Sequence, residues 1–76
     1  NKKTTLKAFL VENKIDSSKV AFIGNDTNDF EVMEIVGLPI SPSDAHDSIK
    51  EISKIITKSN GGNGVIREVY EIIKNK

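Results

Sequence analysis

Val20-Ala21-Phe22-Ile23-Gly24-Asn25-Asp26-Thr27-Asn28-Asp29 is the stretch of this 76-residue chain that decides its fold. An apolar run stops at a glycine, and amide and carboxylate side chains crowd the five residues after it. Such a run reads as a buried parallel strand, here Lys19 to Ile23. A polar loop at the carboxyl end of a parallel strand lies where open α/β sheets bind ligands. Its oxygen donors suit a hard cation such as Mg²⁺. The loop therefore points to a metal-phosphate site.

The flanking sequence supports a parallel sheet. Leu6, Phe9, Leu10 and Val11 recur at helical spacing and predict an amphipathic helix over residues 4–13. Asp16, Ser17 and Ser18 are turn formers. Phe30, Met33 and Val36 predict a second helix, with Gly37 as its C-cap. Leu38 to Ser41 reads as a short second strand stopped by Pro42. Ile49, Ile52 and Ser53 mark a third helix, followed by the β-branched run Ile55-Ile56-Thr57. Asn60-Gly61-Gly62-Asn63-Gly64 is a glycine-rich loop. The apolar residues from Val65 to Ile73 then predict a final helix with a broad apolar face. Strands alternating with helices at this spacing define an α/β fold with a parallel sheet.

Composition excludes several classes. Eleven basic and eleven acidic residues cancel, so the chain has no net charge to attract nucleic acid. No apolar run is long enough to span a membrane. Cysteine is absent, which removes disulfides, thiolate metal sites and cysteine nucleophiles. A small fold without disulfides is expected to be cytoplasmic. At this length the chain forms at most one small domain.

The motifs, taken in order, carry a resemblance. Lys2, Gly24-Asn25-Asp26-Thr27-Asn28-Asp29, Val36-Gly37-Leu38-Pro39-Ile40, Asp44-Ala45-His46 and Gly61-Gly62-Asn63-Gly64-Val65-Ile66-Arg67-Glu68 resemble the carboxyl-terminal half of a haloacid dehalogenase-type phosphatase. The similarity is to the capless branch that includes 3-deoxy-D-manno-octulosonate 8-phosphate phosphatase. The same module occurs fused behind acylneuraminate cytidylyltransferases. The resemblance implies half of a doubly wound, Rossmann-like parallel sheet flanked by helices, with residues 1–76 as one partial domain and no cap.

It also implies a reaction. An aspartate nucleophile takes the phosphoryl group of a 2-keto-3-deoxy acid phosphate, with Mg²⁺ and a lysine balancing the charge. The chain contains no Asp-X-Asp, so the nucleophile motif is expected upstream of Asn1 and the chain is expected to be inactive by itself. Lys2 corresponds to the catalytic lysine, and Asp29 to the acidic residue that supports the metal or orients that lysine. Asn25 stands where the family usually has the metal-ligand aspartate, with Asp26 as the alternative ligand. Arg67 contacts an anionic substrate or forms an exposed pair with Glu68 or Glu71. Gly61 and Gly62 bring backbone N–H groups towards a phosphate or a partner. His46 reads as structural. The implied partners are a sugar phosphate and either further copies of the chain, up to a tetramer, or the missing amino-terminal half. The alternative function is a phosphatase-like oligomerisation module of an acylneuraminate cytidylyltransferase.

Overall fold

The computed structural model describes residues 1–62 and 64–75, so the Asn63 position of the glycine-rich loop lies outside the described residues. The order is helix α1 (Lys2–Glu12), strand β1 (Ala21–Ile23), helix α2 (Phe30–Ile35), strand β2 (Leu38–Ser41), helix α3 (Asp47–Ile52), strand β3 (Ile55–Ile56) and helix α4 (Val65–Lys74). The strands form a parallel sheet in the order β1-β2-β3. Ala21 aligns with Leu38 and Ile40 with Ile55. The expected α/β architecture is present.

Proline in the central strand is tolerated for a geometric reason. The Pro39 carbonyl accepts from Lys54 N at 2.8 Å, so its nitrogen also points towards β3. The β2–β3 register starts only at Ile40, and no ladder bond is lost at Pro39.

The sheet buries its two faces differently. Ile40 packs with Val65 and Val69 of α4 on one face, joined by Ile23, Leu38 and Ile55. Met33, Ala45 and Ile49 of the α2–α3 layer pack with Phe22 on the other. Met33, Ile40 and Ile49 are fully buried, and burying each stabilises the fold by about 1.5–3 kcal/mol.

Several boundaries differ from expectation. Helix α1 starts two residues earlier because the Asn1 side chain accepts from Thr4 N at 2.9 Å, a stabilising N-cap. The first strand is shorter than Lys19–Ile23. Ser17–Lys19 form a 3-10 turn, opened by a bond from Ser18 N to Asp16 Oδ1 at 2.9 Å. Nor is this strand fully buried. Ala21 is exposed and Phe22 and Ile23 half-buried, because β1 is an edge with β2 as its only neighbour among the described residues.

Helix α2 ends at Ile35, and Val36 is already extended, so Val36 does not continue its apolar face. Gly37 is not in the left-handed region and is not a glycine C-cap. It is needed for space: a Cβ there would lie 1.9 Å from the Ser18 carbonyl oxygen. Ser53 and Thr57 fall just outside α3 and β3.

Two expected apolar faces are only partly covered. Helix α1 lies on α2, which buries Leu10 but leaves Phe9 54% exposed. Helix α4 buries Val65 and Val69 but leaves Ile66, Tyr70 and Ile73 in solvent.

Candidate active site

The site begins where β1 ends. Gly24 N donates to the Ile40 carbonyl at 2.9 Å and anchors the chain at the end of the sheet. Gly24 is buried, and a Cβ on it would meet Met33 Sδ at 2.5 Å and Asp29 Cβ at 2.9 Å. Glycine therefore lets the following loop pass close to α2.

The chain then folds back in the 3-10 turn Thr27–Asp29, with a reciprocal capping box between Asp26 and Asp29. Asp26 Oδ1 accepts from Thr27 N at 2.7 Å. Asp29 Oδ2 accepts from the N–H groups of Asn25 at 3.1 Å and Asp26 at 3.3 Å. Its Oδ1 accepts from Lys2 Nζ at 2.7 Å. Among the described residues this is the only salt bridge, and it joins positions 27 residues apart.

Asp29 is 6% exposed. Burial opposes its ionisation, but the Lys2 ammonium and the two backbone donors outweigh that effect and hold the carboxyl below its ordinary value. The carboxylate is thus a fixed anion with both oxygens in use. Lys2 remains half in solvent, with its side chain 55% exposed, so its ammonium is steadied on one side and accessible on the other. Asn25 and Asp26 are exposed at the loop tip.

On the other side of this loop, Asn25 faces the glycine-rich segment. A cleft of about 270 Å³ is lined by Ile23, Asn25, Pro42, Gly61, Gly62 and Ile66, among others. The structure thus brings Asn25, Gly61 and Gly62 around one space. Lys2 opens instead on a groove of about 660 Å³ beside Phe9 and Phe22. Arg67 lies on neither. It is exposed on α4 and lines a third groove with Gly62, Ile66 and Tyr70. It forms no ion pair with Glu68 or Glu71 among the described residues.

His46 has a local job. Its Nδ1 accepts from Ser48 N at 3.2 Å as the cap of α3, and its backbone N–H donates to the Asn25 carbonyl at 3.0 Å. Sequence reasoning gave the Asp44 side chain no role and Glu68 only that of a partner for Arg67; Asp44 bonds to Gly61 of the glycine-rich segment, and Glu68 to Lys58 and Ser59 just before it. The usable signal was an acidic residue shortly after a strand end and another beside a glycine loop.

No group of three or more histidine or acidic side chains among the described residues is placed to hold a metal ion. The loop offers the Asn25 amide oxygen and the exposed Asp26 carboxylate, which is part of a cation's coordination and not a whole shell.

The model of the haloacid dehalogenase-like hydrolases matches residues 1–69, and the chain belongs to that family. The 3-deoxy-D-manno-octulosonate 8-phosphate phosphatase of Escherichia coli K12 is 34% identical over 73 residues, covering 96% of this chain and 39% of the relative. That of Yersinia pestis is 40% identical over 55 residues, covering 72% of this chain and 29% of the relative. The solved Moraxella catarrhalis phosphatase of the same name, in complex with magnesium, phosphate and the sugar acid, superposes with a TM-score of 0.90 at 34% identity. That match covers 97% of this chain and 42% of the neighbour. The chain therefore spans about two fifths of the length of these relatives.

Proposed function

We propose that this chain supplies the lysine–aspartate half of the active site of a Mg²⁺-dependent sugar-phosphate phosphatase. The substrate is the phosphate ester of a 2-keto-3-deoxy acid of the octulosonate or sialic-acid type. The observation that carries this reading is the 2.7 Å pair between Lys2 and the buried Asp29 at the carboxyl end of β1. Asp29 holds the Lys2 ammonium in one place, where it balances charge on the phosphoryl oxygens. With both oxygens engaged, Asp29 acts on the site by positioning Lys2 and the loop. Asn25 is the metal ligand through its amide oxygen, with Asp26 the second candidate. Mg²⁺ bound there neutralises charge on the transferred phosphoryl group. The aspartate nucleophile comes from an Asp-X-Asp segment that residues 1–76 do not contain. Arg67 and the Gly61–Gly62 backbone complete the substrate side.

One observation favours the second reading, an oligomerisation module of the kind fused to acylneuraminate cytidylyltransferases. The position expected to carry an anionic ligand holds the neutral Asn25. One experiment separates the two. The chain is joined to the part of the Escherichia coli phosphatase that precedes the matched region, and phosphate release from 3-deoxy-D-manno-octulosonate 8-phosphate is measured with Mg²⁺ and with chelator. Metal-dependent turnover that Lys2→Met abolishes supports the phosphatase. A folded but inactive oligomer supports the module.

A further inference from the structure

The loop from Lys58 to Gly62 has no strand or helix of its own, yet it is held from two sides. From α4, the Glu68 carboxylate accepts Lys58 N at 2.7 Å, Ser59 N at 2.9 Å and Ser59 Oγ at 2.7 Å. From the segment after β2, Asp44 Oδ1 accepts Gly61 N at 2.8 Å. Ser43 adds two bonds, its N–H to the Ser59 carbonyl at 3.1 Å and its Oγ to Asn60 Oδ1 at 2.6 Å. Neither carboxylate is buried against the core, so core packing does not account for this concentration of acceptors on one loop. What they fix is the wall of the cleft opposite Asn25, where Gly61 and Gly62 stand with no side chains between backbone and cavity.

We propose that Asp44 and Glu68 are positioning residues that clamp this loop, and that the clamped Gly61–Gly62 backbone receives the organic part of the ligand, the 2-keto-3-deoxy acid body. The assignment rests on the phosphatase reading above for the nature of that ligand. Its location follows from the two sides of the Asn25 loop. The Lys2–Asp29 pair stands on one side and suits the phosphoryl group, while the glycine cleft stands on the other. A cleft of about 270 Å³ with apolar walls from Ile23, Pro42 and Ile66 fits part of a sugar acid better than a bare phosphate. Fixing the loop before binding lowers the ordering cost of binding, so loss of the clamp weakens the ligand without touching the reacting centre.

The probe is the free sugar acid, 3-deoxy-D-manno-octulosonate, titrated into the ¹⁵N-labelled protein that contains this chain. The Gly61 and Gly62 amide signals are expected to shift with added acid. Asp44→Ala and Glu68→Ala should each weaken that binding at least fivefold. Asp44→Asn, which keeps a carbonyl oxygen for Gly61 N, should stay within twofold of the parent. In turnover, both alanine variants should raise KM for the sugar phosphate at least fivefold with kcat within twofold, and leave p-nitrophenyl phosphate hydrolysis unchanged. Glycine amides that ignore the acid, or folded alanine variants with unchanged affinity, overturn the proposal. So does an equal loss on both substrates, which would mark a general structural role. Failure of the phosphatase reading shows separately, as absence of Mg²⁺-dependent phosphate release by the unmodified protein. In that case the clamp is read from the variants alone: Glu68→Ala should speed hydrogen exchange at Ser59 N–H and Asp44→Ala at Gly61 N–H, and unchanged exchange overturns it.

Discussion

Removing the Asp29 carboxylate tests the centre of the site. The substitution is Asp29→Ala, with Lys2→Ala as its comparison, both in the protein that contains this chain. Asp29 accepts three donors: Lys2 Nζ at 2.7 Å and the N–H groups of Asn25 and Asp26 at 3.1 and 3.3 Å. Hydrogen bonds to a charged group contribute about 1.5–3 kcal/mol each, less where water replaces the partner. Both amides belong to an exposed loop tip that can take up water, so about 1 kcal/mol each is appropriate. The Asp26 bond is also one arm of the capping box, so it is counted once.

The Lys2 ion pair adds little, about 0–1 kcal/mol, because its ammonium side is largely exposed. Asp29→Ala should therefore cost about 2–3 kcal/mol, and Lys2→Ala no more than about 1 kcal/mol. For a domain of the relatives' length each kcal/mol moves Tm by about 2–4 °C, so the two variants separate in a thermal scan followed by circular dichroism. The pH dependence has a definite sign. The folded carboxyl titrates below its ordinary value of 3.8, so its contribution is complete above that value. It is lost as pH falls through the lower folded value, and the parent should converge on Asp29→Ala only in that acid range. An Asp29→Ala cost below about 0.5 kcal/mol, or a Lys2→Ala cost equal to it, would refute the reasoning.

Three further expectations follow from single positions. Gly37→Ala would place a Cβ 1.9 Å from the Ser18 carbonyl oxygen, and because both partners are backbone it should destabilise by at least about 1–3 kcal/mol in urea unfolding. A neutral result would mean that the contact between Gly37 and the Ser17–Lys19 turn is looser than described. Asn25→Asp adds an anionic oxygen to the loop and should tighten Mg²⁺ by about 1 kcal/mol or more in a protein that also carries the nucleophile strand. Titration calorimetry showing no gain, with loss of binding in Asp26→Ala, would move the ligand to Asp26. The free edge of β1, together with the exposed Phe9, should drive association of the isolated 76-residue chain. A cooperatively folded monomer at micromolar concentration by analytical ultracentrifugation would rule that out.

What the sequence determined was local. An apolar run ending at Gly24, followed by amides and carboxylates, specifies a strand and a polar loop because side-chain alternation and turn chemistry act over a few residues. The same holds for Leu38 to Ser41 and for the helix from Val65, whose apolar spacing is readable without neighbours. The order of motifs pointed to the family and to Lys2, Asn25 and Asp29 as a group. What the tertiary structure decided was every feature whose partner is far along the chain. Gly37 reads as a helix cap, yet it is required by the Ser18 carbonyl packed against it. Phe9 reads as part of the apolar face of a helix, yet Leu10 takes the buried position and Phe9 stays 54% exposed. Asp44 stands in a motif without a role of its own and Glu68 reads as a surface partner of Arg67, yet both close on one loop, from 17 positions before Gly61 and nine after Ser59. Lys2 reaches Asp29 across 27 residues. A carboxylate acquires its role from the donors that folding brings to it, and a sequence records the carboxylate without recording which donors arrive.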